Sequence, residues 1–262
     1  MNRHRGMSWT MRIAIAGGTG TLGRPVAAEL SERGHEVRVL SRHAPKYQVD
    51  LTTGAGLAAA LDGCQVVVDA SNGPPRAAAA TLVAGNRRLL NAGREAGVEH
   101  HVCVSIVGCD RLPVKYYQVK TEQEDVVARG PVPWTIVRAT QFHELVAALF
   151  GSAARYRVVP ALRGLLQPVA VAEAAQAVAD VAVGEPRHRR VEVAGPEVVP
   201  IGDLAATWRR ATGRQALLVP LPVPGRVGRA LRDGWLTDTR PDVRGSVTFT
   251  AWAAHLTGER SR

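Results

Sequence analysis

The chain has 262 residues, of which 46% are hydrophobic, enough apolar material for a full core, so disorder is not the default. It contains no run of eighteen apolar residues, and its basic start leads into no long apolar stretch with a small-residue cleavage site; a soluble, cytoplasmic protein with no membrane partner is expected. The formal charge of +10 comes from scattered arginines, with aromatics at 5%, so no basic stripe or stacking platform stands out and no nucleic acid is expected as a partner.

Residues 1–10 have no apolar period and read as a loose extension. From Arg12 the sequence RIAIAGG is a short apolar run stopped by glycines, the pattern of a buried parallel strand. Helix signals follow at once: Pro25 near the first turn, Val26, Ala27 and Leu30 on one face, and Gly34 as a stop. Further strands are expected at 36–40, 47–50, 65–70, 101–106 and 134–139, with helices at 75–96 and 116–129. Strands that alternate with helices need crossover connections, which predicts an α/β fold: a doubly wound parallel sheet covered on both faces.

Beyond residue 140 the alternation loosens. A helix at 171–183, a strand at 191–194, a helix at 201–212 and proline-rich joins at 219–224 are expected. No linker separates independent parts, so residues 11–258 read as one dinucleotide-binding domain. Its Rossmann-like core spans about 11–140, and segments 141–165 and 195–258 form a smaller substrate-covering lobe. Cys64, Cys103 and Cys109 are too few and too oddly spaced for a disulfide framework and read as reduced thiols in or near the core. The histidines show no metal-ligand spacing, so no metal is expected.

The sharpest motif is GGTGTLG, residues 17–23, between the first strand and the first helix. Gly17, Gly20 and Gly23 suit a backbone that turns sharply, lies against a pyrophosphate and packs a helix onto the sheet, with the helix N-terminus facing the anion. Thr19, Thr21 and Leu22 complete the turn. After the second strand, where an acidic residue would serve the ribose hydroxyls of NAD, the sequence has Ser41 and Arg42. A guanidinium there can clamp a 2′-phosphate, which points to NADP(H), although a surface arginine is the bland alternative.

GGTGTLG, the Ser41–Arg42 pair, the aspartate in QVDL, DASNG after the fourth strand and WTIVRATQFHE together resemble the NmrA-like, isoflavone-reductase-like branch of the atypical short-chain dehydrogenases. The resemblance covers about residues 11–180. It implies that Asp50 and Leu51 lie beside the adenine, and that Ala70 and Ser71 lie along the ribose and pyrophosphate.

In KYYQVKTEQED, Tyr116 and Lys120 stand four apart and share one helix face. An ammonium beside a phenol lowers its pKa, letting the tyrosine exchange a proton, and the same lysine can hold the nicotinamide ribose. This YxxxK pair matches the short-chain dehydrogenase signature. Ser105 stands where the family places a serine that bonds the reacting carbonyl, though a serine closing a strand also serves as a turn residue. Gln141, Phe142 and His143 follow the sixth strand where the family lines its substrate pocket, or they are ordinary helix packing. The leading reading is an NADP(H)-dependent reductase of a small carbonyl, enone or quinone-like substrate, acting as monomer or homodimer. A non-catalytic NADP(H) sensor and a redox-neutral epimerase or cyclase are the alternatives.

Overall fold

The computed structural model describes residues 10–74 and 76–256; the extension expected at residues 1–10 lies outside them except for Thr10. In the first strand, β1 (Arg12–Ala16), Ile13 and Ile15 point to one side and Ala14 and Ala16 to the other, all essentially without solvent exposure. A strand buried on both faces needs layers above and below it, and the rest of the chain supplies them.

Eight strands form one sheet: β1, β2 (Glu36–Ser41), β3 (Tyr47–Gln48), β4 (Val66–Asp69), β5 (His100–Ile106), β6 (Trp134–Ala139), β9 (Arg190–Ala194) and β12 (Val243–Arg244). They lie in the order β12-β9-β6-β5-β4-β1-β2-β3, every neighbouring pair parallel. The strand order reverses between β1 and β4. Two of these strands come from beyond residue 140, so the sheet extends past the expected core segment.

One face is covered by α1 (Gly23–Glu32) and α6 (Val171–Ala182), and five buried alanines on α6 permit a close approach. The other face carries α2 (Leu57–Leu61), α3 (Gly85–Glu95) and α4 (Lys115–Ala128). The helix expected at 75–96 begins as a π-helical turn, Ala79–Ala84, and passes into α3. The three cysteines are free and buried.

A second core lies outside the sheet. It gathers Val146 and Phe150 of α5 (His143–Ala154), Val159 of β7 (Val158–Leu162), Leu204 and Trp208 of α7 (Ile201–Thr212), and Phe249 of α9 (Phe249–Ala254). Two short strands, β8 (Leu165–Leu166) and β10 (Val199–Pro200), pair antiparallel beside it. The join expected at 219–224 is partly strand: β11 (Leu217–Leu221) pairs in parallel with β7, and α8 (Gly225–Arg232) follows. Pro220 is tolerated because this sheet has only two strands, leaving an edge that needs no ladder donor.

His101 is fully enclosed in β5, its Nε2 has no partner, and burial pushes its imidazole down to about 4 from the usual 6.5. The folded state therefore favours neutral imidazole. Its contribution is present above pH 6.5 and is lost as the pH falls towards 4, about 2 kcal/mol of it by pH 5. Urea titrations of His101→Phe at pH 7.5 and pH 5 should show a stability loss smaller than the parent's by about that amount; an identical loss in both proteins would remove this account.

Candidate functional site

The reversal of strand order opens a crevice at the carboxyl ends of β1 and β4, the place where open α/β sheets bind ligands. Gly17 leaves β1 at φ +73°, and its amide donates to Leu40 O at 3.1 Å. A Cβ there would lie 2.7 Å from both Ala70 O and Ser71 Cα, so the two turns can meet only over a glycine. A Cβ on Gly23 would collide with Gly17 O, which fixes the start of α1 against the turn. Leu22 is buried in the core, while Thr19, Gly20 and Thr21 form an exposed lip.

Gly20 differs from its neighbours. It has no left-handed φ, and a Cβ would approach only Gly17 O, at 3.1 Å. Crowding within the chain asks for glycine there far less than at Gly17 or Gly23, whereas a ligand lying on the turn would. Two other features fit a dinucleotide. The N-terminus of α1 has no side-chain cap, and the buried Ser71 hydroxyl beside the turn has no partner.

Around this crevice the expected cofactor residues divide. Ala70 donates its amide to Ala16 O and Ser71 donates its own to Asp69 Oδ1, so both are fixed at the turn. Ser41 Oγ accepts from the His43 amide at 3.2 Å, and the exposed Arg42 forms no ion pair among the described residues. Asp50 builds its own turn: Oδ1 accepts from the amide and hydroxyl of Thr52, and the carboxyl is held below its usual range by those bonds. Leu51 packs into the sheet core, where a Cβ on Gly85 would lie 3.0 Å from its own.

Helix α4 changes the expected chemistry. The Tyr116 hydroxyl donates to Asn72 Oδ1 at 2.8 Å, in the turn after β4. Lys120, one turn later, is buried and donates to Val104 O at 2.7 Å and Gln123 Oε1 at 2.6 Å, not to Tyr116. Burial raises the Tyr116 phenol above its ordinary value, with the Asn72 bond opposing it more weakly. The expected lowering by Lys120 is thus corrected: at i, i+4 the two share a face, but the ammonium goes where buried acceptors are.

Ser105 is also corrected. Its buried hydroxyl donates to Glu124 Oε1 at 2.6 Å beneath α4. Glu124 also accepts from Arg138 (2.8 and 2.7 Å) and from Arg190 (2.8 Å), and these bonds, opposing its burial, hold its carboxyl down to about 2. His143 is a third correction. It is fully buried in the second core, its Nε2 donates to Val247 O at 3.0 Å, and Phe249 and Trp252 pack on its ring. Gln141 reaches Leu236 O through Nε2 at 3.4 Å while its Oε1 is buried without a partner, and Phe142 pairs with Val169.

Sequence reasoning missed Asp69, Asn72 and Gln123. Asp69 is buried and accepts from Ser71 N, Asn86 Nδ2 and Gln123 Nε2, joining the cofactor turn to Lys120 through Gln123. The signal available was a carboxylate closing an otherwise apolar strand, QVVVD.

Comparisons with known proteins point the same way. A family model described as NAD(P)H-binding matches residues 17–184. The chain is 31% identical over 218 residues to a (4-alkanoyl-5-oxo-2,5-dihydrofuran-3-yl)methyl phosphate reductase of Streptomyces griseus, covering 77% of this chain and 74% of that one. It is 26% identical over 149 residues to the photosystem II assembly factor Ycf39 of Cyanophora paradoxa, spanning 51% of this chain and 46% of the relative. In fold it resembles an NADPH-dependent quinone oxidoreductase of Escherichia coli solved with NADPH, at TM-score 0.76 and 22% identity, over 93% of this chain and 99% of that one.

The glycine geometry yields a paired test. Gly20→Val should fold, with an unchanged circular dichroism spectrum, and lose dinucleotide binding, because the new side chain occupies the space over the turn. Gly23→Val should fail to fold. A soluble, unchanged Gly20→Val that still binds NADPH would place the cofactor elsewhere.

Proposed function

Because the chain belongs to the NAD(P)H-binding family, we propose that it is an NADP(H)-dependent reductase of a small carbonyl, enone or quinone-like compound. The observation that carries this reading is the Tyr116 hydroxyl, a proton donor held on Asn72 Oδ1 at 2.8 Å, one residue from Ser71.

In this reading Gly17–Gly23, Ala70 and Ser71 hold the pyrophosphate and ribose, and Ser41 with Arg42 takes the 2′-phosphate. The hydride comes from the reduced nicotinamide when NADPH is bound. Burial keeps the Tyr116 phenol protonated at neutral pH, the form a reduction needs, so its Oη gives a proton to the oxygen or carbon that becomes basic as hydride arrives. Lys120 spends two of its three N–H donors on Val104 O and Gln123 Oε1, leaving one for the nicotinamide ribose. Phe142 offers an apolar wall and Gln141 a polar contact to the substrate.

A second reading, a cofactor-binding protein that acts through a partner without turnover, is favoured by one observation. Lys120 is turned away from Tyr116, so nothing activates the phenol towards phenolate. The relative named as an assembly factor is consistent with it.

Arg42→Ala should weaken NADP(H) by about 1.5–3 kcal/mol, the worth of charged hydrogen bonds, and leave NAD(H) unchanged. Equal affinities of the parent protein for the two cofactors, measured by calorimetry, would end the 2′-phosphate assignment. The catalytic test is NADPH oxidation against quinones, cyclic ketones and butenolides. Tyr116→Phe should lower turnover by about two to four orders of magnitude while cofactor affinity barely moves. Tyr117→Phe, whose ring packs with Leu112 and Leu236, should stay near parent activity. Lys120→Ala is a less clean probe, since it strands two buried acceptors as well as the ribose contact. A fully active Tyr116→Phe rejects the tyrosine mechanism. Cofactor binding with no turnover across the panel supports the second reading.

A further inference from the structure

A carbonyl that takes up hydride gathers negative charge on its oxygen, and a site that speeds the step aims donors at that oxygen. Tyr116 supplies one donor. Ser105 was expected to supply the second, but its hydroxyl is enclosed and spent on Glu124 Oε1 at 2.6 Å. Lys120 is likewise turned to Val104 O and Gln123 Oε1. The side chain that does meet the Tyr116 hydroxyl is Asn72, next in sequence to Ser71 of the cofactor turn.

Hydrogen-bond accounting fixes how Asn72 is turned. Its Oδ1 accepts from Tyr116 Oη at 2.8 Å and from the Gly73 amide at 2.8 Å. The Gly73 amide can only donate, so the group facing it must be the carboxamide oxygen; a flip would set N–H against N–H. Both N–H bonds of Nδ2 are left without a partner among the described residues, on a side chain that is exposed. When Tyr116 turns its proton to another acceptor, Oδ1 still holds the Gly73 amide and is not stranded. Because Nδ2 belongs to the same carboxamide as the oxygen that holds the phenol, one ligand oxygen can take a bond from each.

We propose that Asn72 is a second catalytic donor: its Nδ2 and Tyr116 Oη together bind one substrate oxygen, that of a carbonyl, enone or quinone. The inference rests on the reductase reading and narrows it, since an imine or an isolated alkene offers no such oxygen. Hydride brings its electron pair to carbon, and the π pair of the C=O, directly or through conjugation, moves to the oxygen. Nδ2 bonds that growing charge while Oη gives up its proton to it. The phenolate left behind, on a half-buried side chain, regains a proton from water.

The first readout needs no turnover. 4-Nitrophenol, titrated at pH 8 into the protein loaded with NADP+, offers a phenolate oxygen to the same two donors and reports binding through its absorbance. Asn72→Asp keeps an oxygen for Tyr116 and Gly73 and loses only the N–H donors; Asn72→Leu loses them without adding charge. Both should bind nitrophenolate at least ~10-fold more weakly than the parent, as should Tyr116→Phe, all with parent NADPH affinity. With a quinone or ketone that the parent reduces, both Asn72 variants should lose about 10²- to 10³-fold in kcat while KM barely moves. If Asn72 only shapes its turn, Asn72→Asp makes the same bonds and keeps parent values in both assays, which rejects the proposal and leaves the reductase reading standing. A parent that binds no nitrophenolate rejects it too. Nitrophenolate binding that depends on Asn72, with no turnover across the panel, supports the paired donors and rejects the reductase reading instead.

Discussion

Helix α4 is seated on the sheet by charges, and the crevice depends on that seating. Its buried stripe is Val119, Lys120, Gln123, Glu124 and Val127, so an ammonium and a carboxylate lie within one turn of each other, both out of water. Isolated, either would cost several kcal/mol to bury. Each is satisfied separately: Lys120 by Val104 O and Gln123, Glu124 by Ser105, Arg138 and Arg190. Because Val104 and Ser105 sit on β5, Arg138 on β6 and Arg190 on β9, satisfying these contacts fixes the rotation of α4 about its axis, and that rotation brings Tyr116 to Asn72.

The same constraint explains why two expected catalytic groups lie below the surface of the site. Ser105 closes a strand beside an enclosed carboxylate, and a hydroxyl there is worth more as a donor to Glu124 than exposed to solvent. Asp69 does for the cofactor turn what Glu124 does for the sheet centre. It takes three donors, one from the turn itself, and so couples Ser71 through Gln123 to Lys120.

Polar contacts tie the C-terminal segments to the rest of the fold. His143 reaches Val247, Gln141 reaches Leu236, and Gln167 Oε1 accepts from the Asp238 amide at 2.8 Å. A Cβ on Gly108 would strike Trp235 O, so the loop after β5 and the segment at 235 touch at the backbone. These contacts carry the chain across the ends of β5, β6 and β9, beside Phe142, while the second core behind them packs on its own terms.

The sequence by itself determined the doubly wound sheet, because strands buried on both faces and separated by helices admit few other arrangements. It also determined the glycine turn, in which Gly17 and Gly23 are demanded by backbone geometry within a few positions of one another. It identified Tyr116 as a candidate through helical spacing. It missed α5, whose apolar residues lie on both its buried and its exposed sides and blur the helical period, and β11, hidden by its prolines. Only the tertiary structure decided where Lys120, Ser105 and His143 point, since a side chain's direction within its element is set by which distant acceptor or core it meets. The sequence places Lys120 four residues from Tyr116, but Val104 O and Gln123 Oε1 accept its hydrogen bonds, and no spacing rule ranks those partners.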